Sequence, residues 1–153
     1  MKDFEVLLFD ADNTLFDFNE AEKKALSNIF HEFSHPFSEV HLWTYREINR
    51  ELWKGFEQGT VKPDTIKTER FAQLARVFSM DIDVEKTARD YLCFLGEEHQ
   101  LMPNAYEVVT HLYGRIRIAI LTNGLSSVQN NRLRKSEIGP YIPDIFISEE
   151  IGY

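Results

Sequence analysis

Two carboxylates, Asp10 and Asp12, follow directly on the apolar run Val6-Leu7-Leu8-Phe9. A spacing of two points both side chains toward the same space for as long as the backbone stays extended. Carboxylates held that close repel, so they need a bound cation, a shared proton or unlike surroundings. A hard cation such as Mg²⁺ takes oxygen ligands and pairs with phosphate oxygens. In that setting one carboxylate can attack phosphorus and form an aspartyl-phosphate. The other can protonate the leaving oxygen and later deprotonate water. Asp10-Ala11-Asp12-Asn13 also reads as a plain polar turn closing a strand, so the pair alone does not decide.

A second cluster lies far along the chain. Ile116 to Leu121 is β-branched and apolar, and it ends at Thr122-Asn123-Gly124. A Thr hydroxyl, an amide and a Gly that permits close backbone approach can together cradle a phosphate. A helix expected to be capped by Ser126 adds backbone N–H groups and a favourable dipole. An ordinary strand-to-helix turn would look similar. If both strands are parallel neighbours, one end is anionic and the other receives phosphate. A rival pattern is His31-Glu32-Phe33-Ser34-His35, the H-E-x-x-H of zinc proteases. Pro36 biases His35 out of the helical region and turns it from His31, so chance occurrence at a helix end is the reading preferred.

These residues need elements to hold them. Val6–Phe9 reads as a strand buried on both faces, as in a parallel sheet. Helical periodicity follows in Ala21, Ala25, Ile29 and Phe33, closed by Pro36. Ser38 caps a helix carrying Leu42, Tyr45, Ile48, Leu52 and Phe56, stopped at Gly59. Asp64 and Asp83 are expected to cap a third and a fourth helix, the latter holding Cys93 as a small core side chain. Pro103-Asn104 opens a short helix with Val108, Val109 and Leu112. After the second strand comes a helix from Ser126 to about Lys135, then a Gly139-Pro140 loop and a third strand, Ile145-Phe146-Ile147. Strand, helix, strand, helix, strand implies parallel pairing with right-handed crossovers. The expected fold is α/β: a Rossmann-like core of about three parallel strands from residues 1–17 and 100–153, with an all-helical cap over residues 18–99.

The chain has 153 residues and a formal net charge of -8. A duplex nucleic-acid binder needs a concentrated basic patch, and none stands out; Lys23-Lys24 and Arg132 to Lys135 read as solvated helix faces. His41, His99 and His111 read as surface or helix-flank residues, and Trp43 and Trp53 as packing, with the alternative that one of them faces a substrate. One cysteine permits no internal disulfide. Asp3 and Glu5 interrupt any secretory leader, and no apolar run spans a bilayer. A cytoplasmic protein with no membrane partner is expected.

Phe9-Asp10-Ala11-Asp12-Asn13-Thr14-Leu15 resembles the first signature of the haloacid-dehalogenase superfamily, and Leu121-Thr122-Asn123-Gly124 its second. Ile147-Ser148-Glu149-Glu150-Ile151-Gly152 resembles the approach to the third, and the helical segment sits where the superfamily carries its cap. Among its branches the sequence is most similar to the YjjG-like pyrimidine nucleotidases. The resemblance implies that Asp10 is nucleophile and Mg²⁺ ligand. It implies that Asp12 is general acid/base and offers its backbone carbonyl to the metal, and that Thr122 and Asn123 hold the phosphoryl group. The dehalogenases lack a carboxylate at the place of Asp12, because a halide leaving group needs no proton, so Asp12 favours phosphate chemistry.

The family's third-signature Lys and its fourth-signature acidic metal ligands have no counterpart before Tyr153. A longer parent enzyme is therefore expected. The activity expected is Mg²⁺-dependent hydrolysis of a small phosphorylated metabolite, a nucleoside 5′-monophosphate. The alternatives are a sugar-phosphate or broad-specificity phosphatase, and a catalytically inactive fragment that only binds phosphate or metal.

Overall fold

The structure, a computed structural model, describes residues 4–151. In chain order the elements are β1 (Val6–Phe9), α1 (Phe18–Glu32), α2 (Glu39–Glu57), α3 (Pro63–Phe78), α4 (Val84–Glu97), α5 (Ala105–Leu112), β2 (Arg117–Thr122), α6 (Ser126–Lys135), a 3₁₀ turn (Gly139–Tyr141), β3 (Asp144–Ile147) and α7 (Ser148–Ile151). The chain divides into two compact units, Met1–Lys24 with Cys93–Tyr153, and Ala25–Leu92. The divisions fall inside α1 and α4, helices that each run from one unit into the other.

The first unit is built on a parallel sheet of order β1-β2-β3. Phe9 pairs with Ile120, and Thr122 with Ile147. Neighbouring strands therefore finish side by side. The core lies on one face, where Ile118 and Ile120 of β2 pack with Ala105 and Val109 of α5 and Leu133 of α6. Ala11, Leu15 and Phe16, from the loop after β1, join the same cluster. Partners in parallel register point to the same side of a sheet. The opposite face thus carries Val6, Leu8, Leu121 and Phe146, which are 43%, 52%, 45% and 43% exposed. The expectation that β1 is buried on both faces fails here: it is the outer strand, and only one of its faces meets the helices. The α/β architecture with parallel strands is as expected.

The second unit is helical. Ser38 is the N-cap of α2, and His41 Nδ1 accepts from the Ser38 N–H at 3.2 Å, so a His fills the usual Glu/Gln place of a capping box. Gly59, at φ +72, follows the α2 C-cap and supplies the left-handed stop. Asp83 caps α4, its Oδ1 accepting from the Lys86 N–H at 2.9 Å. α3 departs from expectation: Lys62 is its N-cap and Pro63 its first residue, with Asp64 inside the first turn. Aromatic groups fill the interior. Tyr45, Phe71 and Tyr91 have centroids 5.2–5.6 Å apart, and the buried Arg70 guanidinium lies 4.8 Å from the Tyr91 ring.

Two packing expectations are corrected. Trp43 and Trp53 are 65% and 44% exposed, because they fall off the Leu42–Tyr45–Leu52 stripe that α2 buries. Cys93 is exposed, on the outer side of α4. His41, expected at the surface or a helix flank, stands in the first turn of α2, with its ring 4.6 Å from Phe30 and 4.3 Å from Phe78.

Candidate active site

β1 delivers Asp10 at its carboxyl end, and the loop beyond is held by its own backbone. Ala11 O accepts from both Leu15 N and Phe16 N at 3.0 Å, and Asn13 N donates to Phe16 O at 2.8 Å. Asn13 adopts φ +56, which an Asn tolerates better than most residues. Two hydrogen bonds then fix the segment leaving this loop: Asp17 N to Gln100 O and Met102 N to Leu15 O, each 2.9 Å.

Asp10, Leu121, Thr122, Asn123, Ser148 and Ile151 line one cleft of about 350 Å³ at the carboxyl ends of the three strands. Open α/β sheets bind their ligands there. Asp10, Thr122 and Asn123 are thus brought together. Partial burial lifts the Asp10 carboxyl above its ordinary range; the Ala11 hydrogen bond opposes this, and the Asp12 charge adds to the rise. A bound cation would oppose that rise by favouring the ionised carboxylate.

Asp12 behaves differently. It does not line the cleft, and its carboxylate is turned onto α6. Arg132 Nη1 donates to Asp12 Oδ1 at 2.5 Å, and Gln129 Nε2 donates to Asp12 Oδ2 at 2.8 Å. Arg132 is fully buried, not part of a solvated face; only its neighbours Arg134 and Lys135 face water. Residues 129 and 132 share a helix face, and i, i+3 spacing after a strand-end turn was the available signal for this pair.

The turn expected to cradle phosphate also differs in detail. The Gly124 N–H donates to Thr122 Oγ1 at 3.1 Å. A Cβ at Gly124 would stand 2.3 Å from Gln129 Nε2, so the space that this glycine leaves is filled by Gln129. Leu125, not Ser126, is the N-cap of α6, and the Ser126 N–H donates to Glu149 Oε2 at 2.8 Å. The helix N-terminus is therefore occupied by a carboxylate of α7. Ser148 is a cleft residue that the motif reading did not single out.

For a metal, the described residues contain no group of three or more His, Cys, Asp and Glu placed to bind one. That includes the His31–His35 pattern; His35 lies beyond the end of α1, and both rings are exposed. Mg²⁺ commonly takes one or two carboxylates and keeps several waters. The Asp10 carboxylate, in the cleft, suits such a sparse set, whereas the Asp12 carboxylate is already engaged by α6.

The sequence profile of the haloacid dehalogenase-like hydrolases matches residues 4–153. The chain belongs to that family. It is 36% identical over 153 residues to the Bacillus subtilis protein YfnB, a HAD-hydrolase by name. It is 30% and 27% identical to the pyrimidine 5′-nucleotidases PynA of Streptococcus pneumoniae and YjjG of Escherichia coli. These matches cover 100%, 97% and 95% of the chain. The chain spans 65% of the length of YfnB and 63% of each nucleotidase. A crystal structure of YfnB bound to magnesium, which reveals interdomain movement, superposes with a TM-score of 0.93, covering 99% of this chain and 67% of that one. The Gly152 of the third-signature resemblance lies outside the described residues.

Proposed function

We propose that the protein is a Mg²⁺-dependent phosphomonoester hydrolase acting on nucleoside 5′-monophosphates through an aspartyl-phosphate on Asp10. The observation that carries this reading is the convergence of Asp10 with Thr122 and Asn123 in one strand-end cleft. The nucleotidase names among the relatives support the substrate class.

Asp10 attacks phosphorus in line, forming a bond from its carboxylate oxygen while the bond to the leaving oxygen breaks. Thr122 and Asn123 hold the phosphoryl oxygens from the end of β2. Asp12 supplies a proton to the leaving alcohol, and water then cleaves the acyl phosphate with Asp12 taking up its proton. Mg²⁺, held by the Asp10 carboxylate and Asp12 carbonyl, would supply neutralisation of the charge that develops on the phosphoryl oxygens. A carboxylate at position 12 suits an alcohol leaving group, which departs poorly without a proton.

Phosphate release should be measured across nucleoside monophosphates, sugar phosphates and an aryl phosphate, with Mg²⁺ and with EDTA. Mg²⁺-dependent release, greatest for nucleotides, is expected. Release that EDTA leaves intact would refute metal dependence, and a preference for sugar phosphates would replace the substrate class.

A further inference from the structure

Resting on the reading of the strand-end cleft as a phosphoryl site, we propose that Ser148 is a further residue that binds the transferring phosphoryl group, donating its hydroxyl to an oxygen on the β3 side. Ser148 follows β3 directly and lines the cleft with Asp10, Thr122 and Asn123. Thr122 pairs with Ile147, so Ser148 stands level with Asn123 at the neighbouring strand end. Each of the three strands thus delivers a polar side chain to one space. Adjacent strands lie about 4.8 Å apart, so the backbones bearing Asp10 and Ser148 flank the end of β2 at about that distance. A phosphoryl group drawn to Asp10 and Asn123 has Ser148 on its other side.

The hydroxyl is held only loosely where it is. Ser148 Oγ donates to the Thr122 carbonyl at 3.4 Å, well beyond the distance of about 2.7–2.8 Å usual for O–H···O. An anionic phosphoryl oxygen is a stronger acceptor, and a hydroxyl reaches a new partner by turning about one bond. Thr122 is arranged to act beside it: its Oγ1 accepts from the Gly124 N–H at 3.1 Å, the role that leaves a hydroxyl its proton to give. The turn that bears Ser148 is also selective in what it shows the cleft. Residues three apart share a helix face, and Ser148 and Ile151 of α7 line the cleft whereas Glu149 and Glu150 do not. Both carboxylates go instead to the first turns of α6. Glu149 Oε2 accepts from the Ser126 N–H at 2.8 Å, and Glu150 Oε1 accepts from the Ser126 hydroxyl and from Asn130 Nδ2. Two charges that would repel a phosphate are thereby turned away to a helix N-terminus that favours them. The same bonds fasten Ser148 at the cleft.

The test uses the protein at its natural length with Mg²⁺ and compares wild type with Ser148→Ala and Ser148→Thr. Circular dichroism and thermal melting confirm folding. Inorganic phosphate is titrated calorimetrically, and kcat/KM is measured for uridine 5′-monophosphate and p-nitrophenyl phosphate. Loss of a hydrogen bond to a charged group should weaken phosphate binding by Ser148→Ala roughly tenfold or more. Both esters carry the same phosphoryl group, so kcat/KM should fall by a similar factor on each. Ser148→Thr, which keeps the hydroxyl, is expected to bind phosphate more tightly than Ser148→Ala. Equal phosphate binding by wild type and Ser148→Ala, or a loss of kcat/KM on one ester alone, would overturn the proposal. Should wild type bind phosphate yet turn over neither ester, the proposed function fails and the calorimetric comparison still decides the role of Ser148. A wild type that binds no phosphate would overturn both.

Discussion

At the scale of single residues, the site divides into a part that motif spacing exposes and a part that packing alone exposes. Asp10, Thr122 and Asn123 stand at strand ends, where side-chain type and element boundary coincide, and the structure gathers them into one cleft. Arg132 was misread because a basic run on a short helix usually faces water. Its burial depends on a partner 120 residues away in the chain. Gly124 was legible as a glycine with a purpose, but the purpose is Gln129 and not a bare phosphate. Two predictions belong here. Asp12→Asn should lower kcat on nucleotides by about 10²–10⁴-fold, measured under saturating substrate, with a smaller loss on aryl phosphates. Gly124→Ala should destabilise by about 1–3 kcal/mol through forced displacement of buried Gln129, read from urea denaturation midpoints.

At the scale of elements, the caps account for most of what could be placed from sequence. Ser38, Asp83 and Gly59 mark helix ends where the structure has them. The misplaced start of α3 follows from Pro63, whose missing N–H and fixed φ suit the first helical position better than Asp64 suits the cap. His41 couples a cap to pH. Burial holds its ring below the ordinary value of 6.5, and the His35 charge adds to this. The folded protein then binds fewer protons than the unfolded chain below that value. The stability contributed by His41 is present above pH 6.5 and is lost as pH falls through the lower folded pKa. Protonation also removes Nδ1 as acceptor for the Ser38 N–H. Thermal melts at falling pH should show a loss of stability that His41→Gln, which keeps an N3 acceptor without titrating, reduces. An identical pH dependence in both proteins would locate the effect elsewhere.

At the scale of the whole molecule, the sheet leaves one apolar face to solvent among the described residues, with Val6, Leu8, Leu121 and Phe146 at its surface. Alternating burial along β1 would have needed knowledge of strand order, which four apolar residues in a row do not carry. A contiguous apolar surface of this kind marks a contact region or an aggregation liability. A polypeptide of these 153 residues should therefore bind a hydrophobic dye such as ANS, and Leu8→Lys with Phe146→Lys should weaken that binding while leaving the helical circular dichroism unchanged. The site lies at the strand ends and shares Leu121 with that face. Its central claim is that Asp10 takes the phosphoryl group. The most direct measurement is rapid-quench mass spectrometry of the Mg²⁺-loaded protein during turnover of a nucleoside 5′-monophosphate, wild type beside Asp10→Asn. The account predicts one acid-trapped phosphoryl group on the peptide bearing Asp10, and neither adduct nor turnover in Asp10→Asn. Undiminished turnover by a folded Asp10→Asn would contradict it.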